Sequence, residues 1–200
     1  MKIAIVGHGF VGKAVDYGFE HHDLEKIIVD TKYGTSVEDL TYVDAAFICV
    51  PTPMAEDGSI NSGIVQSCVS YLKSNNLAKM IIVKSTITPD VIQNLQSGPM
   101  GDKVIYNPEF LTERNYAEDF INPDFHIMGG DKKVAQQVVK LYDEYSKCKT
   151  CPVHYMSGME ASFVKYGINS YLASKVLWFN QFYDIINRRE EYTWFQMMVV

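Results

Sequence analysis

The apolar run Lys2-Ile3-Ala4-Ile5-Val6 leads directly into Gly7-His8-Gly9-Phe10-Val11-Gly12, and a helical stretch follows from Val11 to Glu20. A buried strand that turns on glycine into a helix leaves few folds open, because the turn must be tight and the helix must lie back on its strand. Gly7 permits the turn, Gly9 lets a ligand approach the main chain, and Gly12 lets helix and strand pack closely. The helix N-terminus then offers N–H groups and partial positive charge to a pyrophosphate. The fold expected is α/β: a Rossmann-type, doubly wound, mainly parallel sheet followed by a long C-terminal helix.

A second strand, Lys26-Ile27-Ile28-Val29, ends in Asp30, eighteen positions after Gly12. An acid there accepts hydrogen bonds from both adenosine ribose hydroxyls and repels a 2′-phosphate, so NAD is favoured over NADP. Lys32 is the one residue that argues the other way. Gly7, Gly9, Phe10, Val11, Gly12, Asp30 and Lys32 are therefore the first cofactor contacts expected.

Later strands end in segments suited to the same groove. Asp44 to Val50 is stopped by Pro51-Thr52-Pro53, a stiff extended exit that places Val50, Pro51, Thr52 and Pro53 along a cofactor. A helix is expected from Asn61 to Lys73, capped by Asn61 or Ser62. Lys79 to Lys84 ends in Ser85-Thr86, whose hydroxyls can bond a ligand or a water, while Thr88 is placed to cap a helix opened by Pro89. Val104 to Tyr106 runs into Asn107-Pro108-Glu109-Phe110-Leu111-Thr112-Glu113, with two carboxylates four residues apart. Pro108 restricts Asn107 to extended geometry, and the loop beyond a strand's carboxyl end is where α/β sheets hold ligands.

Beyond this loop, a turn at Ile121 to Gly130 enters another strand. Asp131 to Tyr145 reads as an amphipathic helix with Val134, Val138, Leu141 and Tyr142 on one face. A short strand, Val153 to Tyr155, precedes a long helix from Met159 to Asn187, which sets Lys165 and Asn169 on one side at i, i+4. Its aromatic residues (Phe163, Tyr166, Tyr171, Trp178, Phe179, Phe182, Tyr183) exceed what one face can bury, so a partner or a further domain is expected to cover some of them. The division expected is a dinucleotide-binding domain over 1–157 and, over 158–200, a long helix with the start of a second region. The apolar tail Thr193 to Val200 reads as interrupted.

The net charge of −6 and the lack of a basic run argue against nucleic-acid binding. A strand opening at Lys2 leaves no room for a signal peptide, and no run of about 18 apolar residues offers a membrane span, so a cytoplasmic protein is expected. Cys49, Cys68, Cys148 and Cys151 do not form a disulfide framework in such a chain. The Cys148-x-x-Cys151 pair lacks the further ligands a zinc site needs, and no metal is expected.

Six segments in this order resemble the UDP-glucose/GDP-mannose dehydrogenase family: Gly7 to Gly12, Val50-Pro51-Thr52-Pro53, Lys84-Ser85-Thr86, Asn107 to Glu113, Asn122-Pro123-Asp124 with Gly129-Gly130, and Lys165-x-x-x-Asn169. The resemblance implies a two-stage, NAD-dependent oxidation of a nucleotide-sugar primary alcohol to a carboxylate, and a homodimer formed through the long helix in a full-length form. By position, Glu109 resembles the acid/base group that handles water, and Thr86 the residue that positions it. Glu113 is similar to a contact to cofactor and substrate loop, and Ser85 joins the cofactor set. Lys165 resembles the group that stabilises oxyanion charge, and Asn169 the one that holds the sugar or a water. Glu109, Phe110, Leu111 and Thr112 with Lys165 and Asn169 are then the substrate-binding set.

This chain departs from the family pattern in four places. The connection from Asp30 to Asp44 is short, so the usual helix there is expected to be reduced or absent. Phe125 replaces a common arginine, and Ser162 a usual glutamate. No cysteine matches the family's nucleophile in its Gly-Gly-x-Cys setting, so no covalent route to the acid is open to these residues alone. Two other readings stay open. One is a β-hydroxyacid-type NAD dehydrogenase, which needs no cysteine. The other is a non-catalytic NAD-binding module.

Overall fold

The computed structural model describes residues 1–187. The tail at 193–200 lies outside them. The chain divides into two compact units, Met1–Phe163 and a second that begins at Val164. Helix α6 (Gly158–Asn187) starts in the first and runs into the second.

The first unit is a seven-stranded sheet in the order β2-β1-β3-β4-β5-β6-β7. Its strands are β1 (Lys2–Val6), β2 (Glu25–Val29), β3 (Val43–Ile48), β4 (Ala78–Val83), β5 (Val104–Tyr106), β6 (His126–Gly129) and β7 (Val153–Met156). Every neighbouring pair is parallel except β5 and β6, which meet antiparallel at Tyr106 and Gly129. The order steps outward from β1 to β2 on one side and to β3 on the other. The carboxyl ends of these three strands therefore open a crevice at the reversal point, where such sheets take ligands. The sheet bears out the doubly wound, mainly parallel fold expected from the sequence.

β1, β3 and β4 are buried on both faces, which explains their unbroken apolar runs. Helices α1 (Phe10–Gly18), α2 (Gly63–Ser74), α3 (Pro89–Leu95), α4 (Tyr116–Ile121) and α5 (Lys132–Tyr145) join the strands. One core cluster ties β1 and β3 to α1 and α5 through Ile5, Phe19, Phe47 and Tyr142. The Phe19 ring lies 4.9 Å from each of the Phe47 and Tyr142 rings.

Three details refine the sequence reading. The short Asp30-to-Val43 connection contains two single turns of 3-10 helix, Thr31–Tyr33 and Val37–Asp39, in place of an ordinary helix. α4 was not foreseen, since six residues carry too little periodicity to announce a helix. It packs on α1 where Phe120 covers Gly18, a position with no room for a Cβ. Thr88 does precede Pro89 at the start of α3, but its side chain makes no capping bond to the backbone. Its hydroxyl bonds Asp90 instead. By contrast, Asp131 caps α5 fully, accepting from the N–H groups of Lys133 and Val134.

On α6, Tyr171, Leu172, Val176, Leu177, Trp178, Phe179, Tyr183 and Ile185 are exposed. Among the described residues, no helix is long and apolar enough to cross a membrane.

Candidate functional site

The glycine turn owes its shape to main-chain geometry. Gly7 has φ +91°, and a Cβ there would come within 2.8 Å of the Cys49–Val50 peptide. At Gly12 a Cβ would sit 1.9 Å from the Gly7 carbonyl oxygen, so only glycine lets α1 approach β1 this closely. A Cβ on Gly9 would meet nothing within 4 Å. The space before Gly9 is open, and no side chain caps the N-terminus of α1. A bare helix start facing open space is suited to phosphate oxygens.

Asp30 fixes this turn from the end of β2. One carboxylate oxygen accepts from the His8 N–H at 2.6 Å, and the other accepts from the Lys32 N–H at 2.9 Å. Burial opposes the Asp30 charge, but these two N–H groups and the Lys32 ammonium outweigh it and hold its carboxyl below the ordinary range. The Lys32 ammonium turns back onto the loop, 2.6 Å from the His8 carbonyl oxygen. The residue that spoke for a 2′-phosphate is thus engaged with the main chain.

A cavity of about 1320 Å3 lies along the ends of β1 to β4. It is lined by Gly7, Gly9, Phe10, Val11, Asp30, Lys32, Val50, Pro51, Thr52, Ser85, Thr86 and Glu109. The structure therefore gathers most of the expected cofactor set on one surface. Gly12, Pro53 and Glu113 do not line it; Gly12 lies behind the turn, between α1 and β1. The Ser85 hydroxyl is already spent on the ends of β3, 2.7 Å from the Val50 carbonyl oxygen and 3.2 Å from that of Ile48. Ser85 joins strand ends, while Thr86 stays half-exposed and lines the same cavity as Glu109.

Glu109 leaves β5 on a loop that it helps to fold, its carboxylate accepting from the Leu111 N–H at 2.7 Å. It and Lys84 also line a second cavity of about 290 Å3, bounded by Phe110, Leu111, Thr112 and Phe125. Lys84 is buried, with its ammonium 3.0 Å from the Asn107 side-chain amide oxygen and 3.5 Å from the Tyr142 hydroxyl. Tyr142 donates to the same Asn107 oxygen at 2.9 Å, and the Asn107 amide donates to the Ile127 carbonyl oxygen. The first residue of the Asn-Pro-Glu segment is therefore the anchor that sets where Glu109 stands. Burial, reinforced by the Lys84 ammonium, pushes the nearby His126 imidazole down to about 4.

Sequence reasoning gave His8 and Lys84 no role. Lys84 carried a signal, since an ammonium that ends an apolar strand must find partners inside the protein. His8 carried only its place between two glycines.

None of the four thiols is poised as a nucleophile. Burial pushes Cys49 up to about 12 and raises Cys68, Cys148 and Cys151. In the second unit, Lys165 and Asn169 lie four residues apart on α6. Among the described residues, one group with metal-ligand spacing occurs, His21, His22 and Asp23, in the surface turn after α1.

The model of the UDP-glucose/GDP-mannose dehydrogenase family NAD binding domain matches residues 32–146, more than half of the chain. The chain belongs to this family. NAD is its cofactor, and the crevice with the open Gly9 face fits a dinucleotide. The chain is 25% identical to a UDP-glucose 6-dehydrogenase, AglM, of Haloferax volcanii, over 88% of its own length and 52% of that protein. It is 28% identical to a UDP-glucose 6-dehydrogenase of Rickettsia felis, over 75% of its own length and 35% of that protein. A UDP-glucose dehydrogenase structure from Pyrobaculum islandicum superposes with a TM-score of 0.67 at 27% identity, covering 86% of this chain and 50% of that one. A GDP-mannose dehydrogenase from Pseudomonas aeruginosa shares the fold, with a TM-score of 0.70 at 20% identity over 96% of this chain and 58% of that one. The chain thus spans between 35% and 58% of the length of these relatives.

Proposed function

We propose that this chain is the cofactor-binding half of an NAD-dependent nucleotide-sugar 6-dehydrogenase that oxidises a primary alcohol to the uronate, with UDP-glucose as the substrate favoured by the names of its relatives. The observation that carries the reading is that Glu109 and Thr86 border the same cavity as the glycine turn and Asp30. NAD supplies the hydride acceptor when bound. Glu109 then moves protons to and from water at its carboxylate, and the half-exposed Thr86 hydroxyl on the same cavity orients that water. Lys165 stabilises developing oxyanion charge and Asn169 holds the sugar or a water. Glu113 reaches cofactor and substrate loop only if the loop beyond Thr112 moves, since it does not line the cavity.

The covalent stage needs a thiolate, and the raised cysteines of this chain do not supply one. The acid is therefore made with a cysteine from a longer form or from a partner chain. The exposed apolar residues of α6 supply a surface for a homodimer in such a form, which works in the cytoplasm.

The test combines calorimetry of NAD binding to this chain with an assay of the protein as isolated from its source. Tight NAD binding and two NAD reduced per UDP-glucose are expected. Absence of NAD binding overturns the reading. Turnover of a β-hydroxyacid in place of a nucleotide sugar transfers the chain to that group.

A further inference from the structure

His8 sits between the two glycines that face the phosphate end of the cofactor cavity, and every polar atom it has is engaged. Its N–H donates to Asp30, and its carbonyl oxygen accepts from the Lys32 ammonium. Its buried imidazole bridges two elements: Nε2 is 3.2 Å from a carboxylate oxygen of Asp16 on α1, and Nδ1 is 3.1 Å from the Tyr33 hydroxyl. The other Asp16 oxygen is paired with the Lys26 ammonium of β2 at 2.6 Å.

The charges packed around this imidazole are two carboxylates, Asp16 and Asp30, and two ammonium groups, Lys26 and Lys32. They cancel. With a neutral imidazole the base of the turn carries no net charge, and with a protonated one it carries a single positive charge. A dinucleotide brings two phosphate negative charges to this turn, so the proton on His8 decides whether the turn attracts them beyond what its N–H groups do. The proton also has a ready place, because Asp16 accepts from Nε2–H in either state and Tyr33 can switch from donor to acceptor at Nδ1.

We propose that His8 is a proton-linked positioning residue for the cofactor's pyrophosphate: its imidazole braces the glycine turn against Asp16 and Tyr33, and its protonation strengthens the turn's hold on the phosphates. It rests on NAD binding and not on the sugar-dehydrogenase reading. Asp16 and Asp30 are both held below the ordinary carboxyl range, so they stay ionised between about pH 5 and 8. Glu38 and Glu109 line the cavity from other elements.

The test is NAD affinity of this chain by calorimetry from about pH 8 to about pH 5.5, with adenosine as the phosphate-free control. NAD affinity is expected to rise about fivefold as pH falls while adenosine affinity stays flat, as Coulomb attraction at partly screened range gives. His8→Gln keeps a donor and an acceptor but cannot titrate, and its NAD affinity is expected to be flat with pH. A flat parent profile, or the parent's slope persisting in His8→Gln, overturns the proposal. If His8→Gln binds no NAD at any pH, proton uptake by the parent decides, measured in two buffers of different ionisation enthalpy. Uptake with NAD but not with adenosine sustains the proposal, and equal uptake with both overturns it. Failure of the parent to bind NAD at any pH removes both the proposal and the cofactor assignment, while a slope without sugar turnover leaves the proposal standing.

Discussion

The two ends of the cofactor cavity are built in opposite ways. Around Gly7 to Gly12 the working parts are main chain: a left-handed glycine, a helix packed directly on a carbonyl, and a carboxylate caught by two N–H groups. Around Glu109 they are side chains drawn from distant segments: Lys84 after β4, Asn107 after β5 and Tyr142 on α5 meet within 3.5 Å of one another. A main-chain site fails when an atom is added, because nothing can move aside. A side-chain site fails when an atom is removed, because a buried polar group then loses its partner. Steric exclusion secures the first end, and satisfaction of polar groups secures the second.

The largest effect expected lies at Gly12. In Gly12→Ala the new methyl group has no space beside the Gly7 carbonyl, so α1 must lift from β1. A loss of about 3 kcal/mol or more in urea denaturation is expected, as for severe overpacking. Gly9→Ala is the contrasting case, since its methyl enters open space. Stability should change by about 1 kcal/mol or less, while NAD affinity falls. Equal stability loss in both variants would show that the turn is not sterically held.

At the other end, Asn107→Ala removes the oxygen shared by Tyr142 and Lys84 and the amide that bonds Ile127. Denaturation should report a loss of about 2–3 kcal/mol, because a buried ammonium loses a partner along with two neutral hydrogen bonds. Tyr142→Phe gives up the donor to Asn107 and a long, weak contact from Lys84, and should cost about 1 kcal/mol. Comparable losses in the two variants would mean that Lys84 gains little from Asn107.

This contrast also explains what the sequence made legible. The glycine turn, Asp30 and the strands β1 to β4 depend on neighbours a few residues away, so spacing and apolar runs were enough to place them. The short connection after Asp30 was legible from the family resemblance, because the thirteen residues between Asp30 and Asp44 are fewer than the family's usual connection there. The antiparallel entry of β6 was not, because it rests on one pair, Tyr106 with Gly129, and on the Gln96 amide that donates to the carbonyls of both Val104 and Gly129. The Lys84–Asn107–Tyr142 cluster joins residues up to 58 positions apart, and no local pattern encodes such a meeting. Lys84 was visible only as part of a motif, and its burial gives that motif its physical sense.

Acid titration should also separate the two ends. The His126 imidazole, beside Lys84, falls to about 4 when folded, against 6.5 when free, through burial first and then the Lys84 charge. Below pH 6.5 the unfolded chain takes up this proton and the folded chain does not, so stability should fall as pH drops from 6.5 to 4. The loss should be about 2 kcal/mol, less than the full shift would give, because the ring is not wholly buried. His126→Phe should abolish it. Asp16, at the other end, is shifted by its partners and in a lower window: burial opposes its charge, but Lys26 and His8 hold its carboxyl below 3.8. Its contribution is whole above the unfolded value and is lost only as pH falls through the lower folded one. Asp16→Asn should therefore leave the decline between 6.5 and 4 intact and lower stability above pH 4 by under about 1 kcal/mol, a difference that vanishes at lower pH, since the pair is partly exposed. A parent whose stability holds steady to pH 4 and then drops would place the acid sensitivity of this fold in its carboxylates and not in His126.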